Sequence, residues 1–203
     1  MVAEVMYQKL KDLYEKYLGH RTALDLYNSG EEGRNNFLVD VDKYSKYLIP
    51  GNVLFLGCSI GHRVWAYQQK GWDAHGCDIS EWAINNAITN NCINYDIKDM
   101  EYKDKQFDNV VGFDVLEHIP LEYFDEVLKQ CLRITNKCFL ARIPYCEQNV
   151  EFRRYSQDNI LMEHMIHVPP EWWLEQFRKC FSGWQESYER VEGTNWWLYK
   201  YQR

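Results

Sequence analysis

Short apolar runs alternate with longer amphipathic stretches from about residue 52 onward, a pattern that predicts strands interleaved with helices. Residues 52–56 form an apolar run of strand length. Residues 62–70 have helix length and close on Gly71, and residues 73–77 form a second strand that delivers Asp78 to its end. Ser80 caps a helix to about Asn90 that buries Trp82, Ile84, Ala87 and Ile88. A short strand at 93–97 and a buried strand at 107–113 follow. Pro120 opens a helix with Phe124, Val127, Leu128, Cys131 and Leu132 in one stripe. Residues 138–143 read as a strand, and Pro170 opens a helix to about Phe181. Two β-rich runs, 184–190 and 195–201, are split by Glu192 and Gly193 and predict an antiparallel pair at a sheet edge.

Upstream, Met6, Leu10, Leu13, Tyr14 and Tyr17 recur at helical spacing and predict an amphipathic helix laid on the domain. Residues 19–36 are polar, carry Gly30 and Gly33 and suit either a lid or an ordinary surface connection. Residues 39–49 read as a further helix ended by Pro50 and Gly51. The resulting fold class is α/β, Rossmann-like and doubly wound. It has a mostly parallel seven-stranded sheet, an antiparallel C-terminal hairpin, helices on both faces and an N-terminal helical lid. At 203 residues the chain is read as a single domain, with 1–50 as the helical or lid segment and 51–203 as the core.

A net charge of -7 gives no broad cationic surface, which disfavours nucleic acid as a partner. No apolar run is long enough to cross a bilayer. Seven scattered cysteines without a C-x-x-C pair fit free thiols, and a cytoplasmic location is expected. The eight Trp and fifteen Tyr are expected mainly in the core and the lid, with a minority lining a pocket. Oligomeric state is open.

The chemistry concentrates at residues 57–61 and at Asp78. Gly57 and Gly61 bracket a turn where backbone passes close to a ligand, and the helix from His62 aims its first amides over it. Asp78, at the end of the next strand, can accept hydrogen bonds from both hydroxyls of a ribose. A glycine turn alone is ordinary; strand, turn, helix and acid together point to a nucleotide-type cofactor. A dinucleotide site expects G-x-G-x-x-G, whereas this turn is G-x-x-x-G without the central glycine. A nicotinamide-dependent oxidoreductase therefore stands as an alternative, as does a catalytically silent cofactor-fold protein that binds a partner through its aromatic C-terminal region.

From Val53 to the C-terminus the chain resembles the class I S-adenosylmethionine-dependent methyltransferases. VLFLGCSIGH (53–62) is similar to that family's glycine loop, GCDIS (76–80) to its ribose-binding acid, and FDNVVGFDVLEHIP (107–120) to its fourth-strand motif. The resemblance implies that Gly57, Cys58 and Gly61 approach the methionine part of the cofactor, that Asp78 holds the ribose and that Ile79 packs on the adenine. It further implies that Asp96, with Ile97 beside it, receives the adenine amino group, with Asp99 as a rival, and that Asp114 borders the methionine and the reacting methyl. Two positions depart from the family pattern: Phe55 stands where an acid is usual, and Ser59 where a glycine is usual.

The implied reaction is methyl transfer to a small-molecule acceptor, most readily at oxygen. His118 is the general base or a metal ligand, and Glu117 and His167 are further catalytic candidates. Asp114, Glu117 and His118 form a D-x-x-E-H cluster similar to that of methyltransferases that use a divalent metal, with His164 and His167 after the fifth strand. The metal-free reading, in which Glu117 pairs locally and His118 packs, is preferred. One of Trp172 and Trp173 is read as closing the acceptor pocket. Trp173, in line with Leu174, Phe177 and Phe181, is assigned to the core. Arg142, Arg153 and Arg154, near Tyr145 and Tyr155, suit either a grip on an anionic acceptor or a solvated surface.

Overall fold

A computed structural model describes residues 8, 11, 12, 15, 30–144, 151–152 and 165–203. Helix α1 (Gly30–Tyr44) and a 3-10 turn (Ser45–Tyr47) precede β1 (Val53–Leu56), α2 (His62–Gln69), β2 (Ala74–Asp78), α3 (Glu81–Asn85) and β3 (Cys92–Asn94). Then come β4 (Phe107–Phe113), a 3-10 turn (Leu116–His118), α4 (Leu121–Ile134) and β5 (Thr135–Pro144). The chain closes with β6 (Glu151–Phe152), β7 (Ile166–His167), α5 (Pro170–Cys180), β8 (Gln185–Arg190) and β9 (Trp196–Gln202).

Seven strands make one sheet in the order β3-β2-β1-β4-β5-β9-β8, and β6 pairs with β7 separately. Pairings from β3 across to β5 are parallel, while β9 runs antiparallel to both β5 and β8. The doubly wound sheet and its antiparallel C-terminal hairpin thus follow the expected pattern. The order reverses between β1 and β4, because the chain winds outward to β3 and then returns to the other side of β1. That reversal opens a crevice at the carboxyl ends of β1 and β4.

The two faces of the sheet are built by alternation along the strands. Leu54 and Leu56 face a core shared with Val110, Phe139, the α4 residues Phe124, Val127 and Leu128, and the α5 residues Trp173 and Phe177. Val53 and Phe55 face the opposite core, with Val111, Leu140, the α1 residues Val41 and Tyr44, and the α2 residues Val64 and Tyr67. Burial of β1 on both faces explains its unbroken apolar run.

Several boundaries differ from the sequence reading. The helix expected at 39–49 begins at Gly30 and ends at Tyr44, so residues 30–36, expected in a lid or connection, are helical. Two glycines disfavour helix there by about 1 kcal/mol each, but packing of Phe37, Leu38, Val41 and Tyr44 against the sheet overrides that preference. Helix α3 stops at Asn85 instead of about Asn90. Asparagines favour non-helical backbone, and the Ile88 amide donates to the Ile60 carbonyl at 2.9 Å, tying the chain to the glycine turn. Strand β3 is Cys92–Asn94, shorter than the expected 93–97, and β5 extends beyond the expected 138–143 at both ends. Met6, Leu10, Leu13, Tyr14 and Tyr17 lie outside the described residues.

Candidate active site

Strand β1 runs into the glycine turn at the crevice. Gly57 has φ +59° and Gly61 φ +83°, and each is hemmed in: a Cβ on Gly57 would stand 2.6 Å from Val115 Cγ2, and one on Gly61 2.7 Å from Cys92 Sγ. Between them Ser59 has φ +50°. The turn therefore keeps its left-handed shape where the resemblance expects glycine, against roughly 1–2 kcal/mol of steric opposition to the side chain. Cys58 is buried, and its thiol is pushed well above its ordinary range by a hydrogen bond with Cys92 and then by burial, so it packs the turn as a neutral group. Phe55, in the place of the usual acid, is buried with its ring 4.7 Å from that of Tyr67. That position belongs to the core.

Asp78 ends β2 and is 7 % exposed. Its Oδ2 accepts from the Ser59 amide at 2.7 Å and its Oδ1 from the Ser80 amide at 2.9 Å. Burial pushes the carboxyl above its ordinary value, while the amides of Ser80 and Ser59 pull the other way. The glycine turn and the expected ribose acid are thus one hydrogen-bonded unit, and each carboxylate oxygen retains a second lone pair for a hydroxyl. The Ser80 side chain accepts from the Ala83 amide at 3.1 Å, the cap that starts α3.

Ile79 is half-buried, Ile97 is buried, and Asp96 lies in the segment after β3; Asp99 is exposed. Two charged residues of the N-terminal segment reach this edge. The Lys11 ammonium pairs with Asp96 Oδ2 at 2.9 Å. The Glu15 carboxylate accepts from the Ser80 hydroxyl at 3.3 Å and from the Trp82 amide at 3.1 Å. Nothing in the sequence pattern signalled either contact.

Across the crevice, Asp114 follows β4 with φ +59°, a conformation that aspartate tolerates better than most residues. Its amide donates to the Arg142 carbonyl at 3.0 Å, and its Oδ2 accepts from the Arg142 guanidinium. Arg142, expected as a grip for an anionic acceptor or as a solvated charge, is neither. It is 7 % exposed, donates to the Tyr44 hydroxyl at 3.2 Å and lies 4.9 Å from the Phe113 ring and 4.6 Å from the Trp196 ring. The aromatic cage around it compensates for desolvating the guanidinium. Tyr44 and Trp196 come from distant parts of the chain, so only the fold discloses the cage.

Glu117, on the 3-10 turn, is fully buried, and among the described residues neither carboxyl oxygen has a hydrogen-bond partner. Burial, followed by the charge of Asp114, pushes its carboxyl up to about 8. His118 ends the same turn half-buried. His167, also half-buried, sits on β7, which packs beside that turn. The fold therefore gathers Asp114, Glu117, His118 and His167 at one side of the crevice, opposite Asp78 and Asp96. Among the described residues no group of three or more His, Cys, Asp or Glu is arranged to hold a metal ion. His164, Arg153, Arg154, Tyr145 and Tyr155 lie outside the described residues. Trp173 is 1 % exposed in the core, as expected, whereas Trp172 is half-buried with its ring 5.4 Å from Phe124.

Residues 27–187 match the family described as Methyltransferase domain, so the chain belongs to that family. No curated protein sequence matches it. Among solved structures it is similar to a methyltransferase of Thermotoga maritima described as a possible histamine N-methyltransferase, at 12% identity and TM-score 0.67, covering 94% of this chain and 98% of that one. A methyltransferase from Archaeoglobus fulgidus is similar at 16% identity and TM-score 0.66, covering 89% and 97%. The 1,6-didemethyltoxoflavin-N1-methyltransferase of Burkholderia thailandensis, solved with its substrate and S-adenosylhomocysteine, is similar at 12% identity and TM-score 0.64, covering 89% and 84%. These likenesses establish the class I methyltransferase fold. No helix among the described residues is long and apolar enough to cross a membrane.

Proposed function

We propose that the chain is an S-adenosylmethionine-dependent methyltransferase acting on a small-molecule acceptor at oxygen. The observation that carries the reading is the 2.7 Å bond from the Ser59 amide to Asp78, which joins the turn and the acid into one cradle at the sheet's reversal point. In this reading Asp78 takes the ribose, Ile79 and Ile97 flank the adenine, and Asp96 receives its amino group. Gly57, Cys58, Gly61 and Asp114 line the methionine end. The donor set suits the group: carboxylates stand where hydroxyls and amines need acceptors, and narrow backbone stands where bulk would clash.

The bound cofactor supplies an electrophilic methyl on a sulfonium. The chain's part is to align the acceptor with that methyl and to take the acceptor's proton. His118, at the end of the turn after β4, would receive the acceptor's proton as the methyl is transferred. Glu117 backs the turn that carries His118, and His167 lines the acceptor side from β7. Free thiols at Cys58, Cys77 and Cys92 suit a cytosolic enzyme. Burial of Phe55 where an acid is usual keeps a silent binder as the second reading.

Calorimetric titration with S-adenosylhomocysteine should show saturable binding, and its absence would overturn the proposal. Mass-spectrometric detection of a methylated acceptor after incubation with S-adenosylmethionine separates enzyme from silent binder.

A further inference from the structure

Two thiols meet behind the glycine turn. Cys58 has its Cβ and Sγ each 2.6 Å from the place a Cβ on Gly76 would take, so its side chain fills the gap that this glycine leaves on β2. Gly76 is the register partner of Cys92 on the parallel strand β3, and paired positions on neighbouring parallel strands face the same side of the sheet. Cys58 and Cys92 therefore stand side by side in the core under α1 and α2, and their side chains share a hydrogen bond. Cys77, one residue beyond Gly76, alternates to the opposite core.

This pair is tied to the turn. The Cys92 thiol lies under Gly61, where a Cβ would stand 2.7 Å from its Sγ. The Cys58 carbonyl accepts from the Gly61 amide at 2.9 Å, and Ser59, next in the chain, donates its amide to Asp78 Oδ2 at 2.7 Å. A change in how the two sulfurs meet is therefore felt by the turn and, through Ser59, by Asp78. The two thiols also differ. Their hydrogen bond draws Cys92 below its ordinary value against the opposing effect of burial, and holds Cys58 above its own. Cys92 is thus the readier thiolate, the form that reacts with oxidants, and Cys58 is the neutral thiol beside it. Both residues are buried without being fully enclosed, at 9 % exposure for Cys58 and 8 % for Cys92, which suits an oxidant of hydroperoxide size.

We propose that Cys58 and Cys92 are a redox-reactive dithiol that a hydroperoxide closes into a reversible disulfide, reshaping the glycine turn and weakening ligand binding there. The Cys92 thiolate attacks the peroxide and the O–O bond breaks. One oxygen stays on sulfur as a sulfenic acid, and the other leaves as water or alcohol with the proton that Cys92 released. The Cys58 sulfur then gives up its proton and attacks the sulfenic sulfur. The S–S bond forms, the S–O bond breaks, and that oxygen departs as a second water. Two electrons pass from the sulfurs to the peroxide, and a dithiol reductant reverses the change. The bridge draws Cys58 towards β3, and Ser59 follows at the expense of its bond to Asp78. Bridge formation is independent of what the turn binds; the effect on affinity rests on the proposed cofactor reading.

The test treats the purified protein with a slight molar excess of hydrogen peroxide and maps its peptides without reduction. Trypsin is combined with Asp-N, which cuts before Asp78 and so separates Cys77 from Cys92. A linked pair of peptides carrying Cys58 and Cys92, lost on addition of dithiothreitol, is the expected product. The bridged protein should bind S-adenosylhomocysteine about fivefold or more weakly than the reduced protein, the effect of losing about one hydrogen bond, and dithiothreitol should restore the affinity. Cys92→Ser, outside the proposed ligand contacts, should form no bridge and keep its affinity in peroxide. Bridges confined to other cysteines, oxidation of Cys92 to a sulfinic acid without a bridge, or a bridged protein of unchanged affinity would overturn the proposal. Failure of the reduced protein to bind S-adenosylhomocysteine would instead count against the cofactor reading, while the peptide map decides the bridge by itself.

Discussion

The Ser59 amide donates to Asp78 Oδ2 at 2.7 Å, so the acid at the end of β2 is organised by the same turn that would face the cofactor. Loop shape and ribose recognition are therefore coupled. Asp78→Ala leaves the amides of Ser59 and Ser80 without their acceptor in a buried site, at about 1–3 kcal/mol each. Both a lower melting temperature and a loss of S-adenosylhomocysteine affinity of about tenfold or more are expected, read by thermal unfolding and calorimetry. An unchanged affinity would detach Asp78 from the ribose.

Ser59 tests how the turn tolerates its departure from glycine. Ser59→Gly relieves a side chain at φ +50° but gives the unfolded chain more freedom, so the two effects partly cancel. A net gain of about 0.5 kcal/mol is expected, seen as a higher urea midpoint with an unchanged slope. Ser59→Val, branched at Cβ, should lose about 2 kcal/mol in the same assay.

These residues also show what the sequence could and could not disclose. The turn and Asp78 are neighbours through local rules: a strand, a left-handed bend and a second parallel strand bring them together whatever else the chain does. The stripe of Phe124, Val127, Leu128 and Cys131 is equally local, and α4 forms where its period places it. The Arg142 cage depends on β5, β4, β9 and α1 meeting, and no periodicity encodes which aromatic rings face a given arginine. Gly30 misled for the converse reason, since a local penalty of about 1 kcal/mol yields to a packed face.

Glu117 predicts a pH dependence. Its carboxyl is raised from an ordinary 4.5 to about 8, by burial first and then by Asp114. The folded state keeps a proton that the unfolded chain has released, so this stabilising contribution is complete below about pH 4.5 and is lost as pH rises through about 8. The slope is at most ~1.4 kcal/mol per pH unit. Glu117→Gln, which cannot ionise, should therefore gain stability relative to wild type between about pH 5 and about pH 8. Urea midpoints across that range provide the check; a constant difference would mean that Glu117 is ionised throughout.

For His118 the expectation separates chemistry from binding. His118→Ala should reduce turnover by about 100-fold or more with S-adenosylhomocysteine affinity nearly unchanged, because the residue lies on the turn after β4 and away from Asp78. Single-turnover rates alongside calorimetry make the comparison. Survival of turnover would transfer the proton-accepting role to another group at the crevice, with His167 on β7 the next to replace.

Lys11 gives the last prediction, because its ammonium pairs with Asp96 Oδ2 at 2.9 Å, on the carboxylate proposed to receive the adenine amino group. Asp96 Oδ1 meanwhile accepts from the Lys98 amide at 3.1 Å, so an adenine amino group arriving at this carboxylate shares it with the lysine. The lysine side chain is 32 % exposed and the aspartate 11 %, so the pair, partly screened by solvent, is worth about 1 kcal/mol, which limits the competition to roughly fivefold in affinity. Lys11→Met should tighten S-adenosylhomocysteine binding by up to about that factor and reduce its dependence on salt. Weaker binding would show that Lys11 helps hold the N-terminal segment over a bound nucleoside. Asp96→Asn discriminates further: an amide there still accepts from the adenine amino group but no longer attracts the lysine, so its affinity should move in the same direction as that of Lys11→Met.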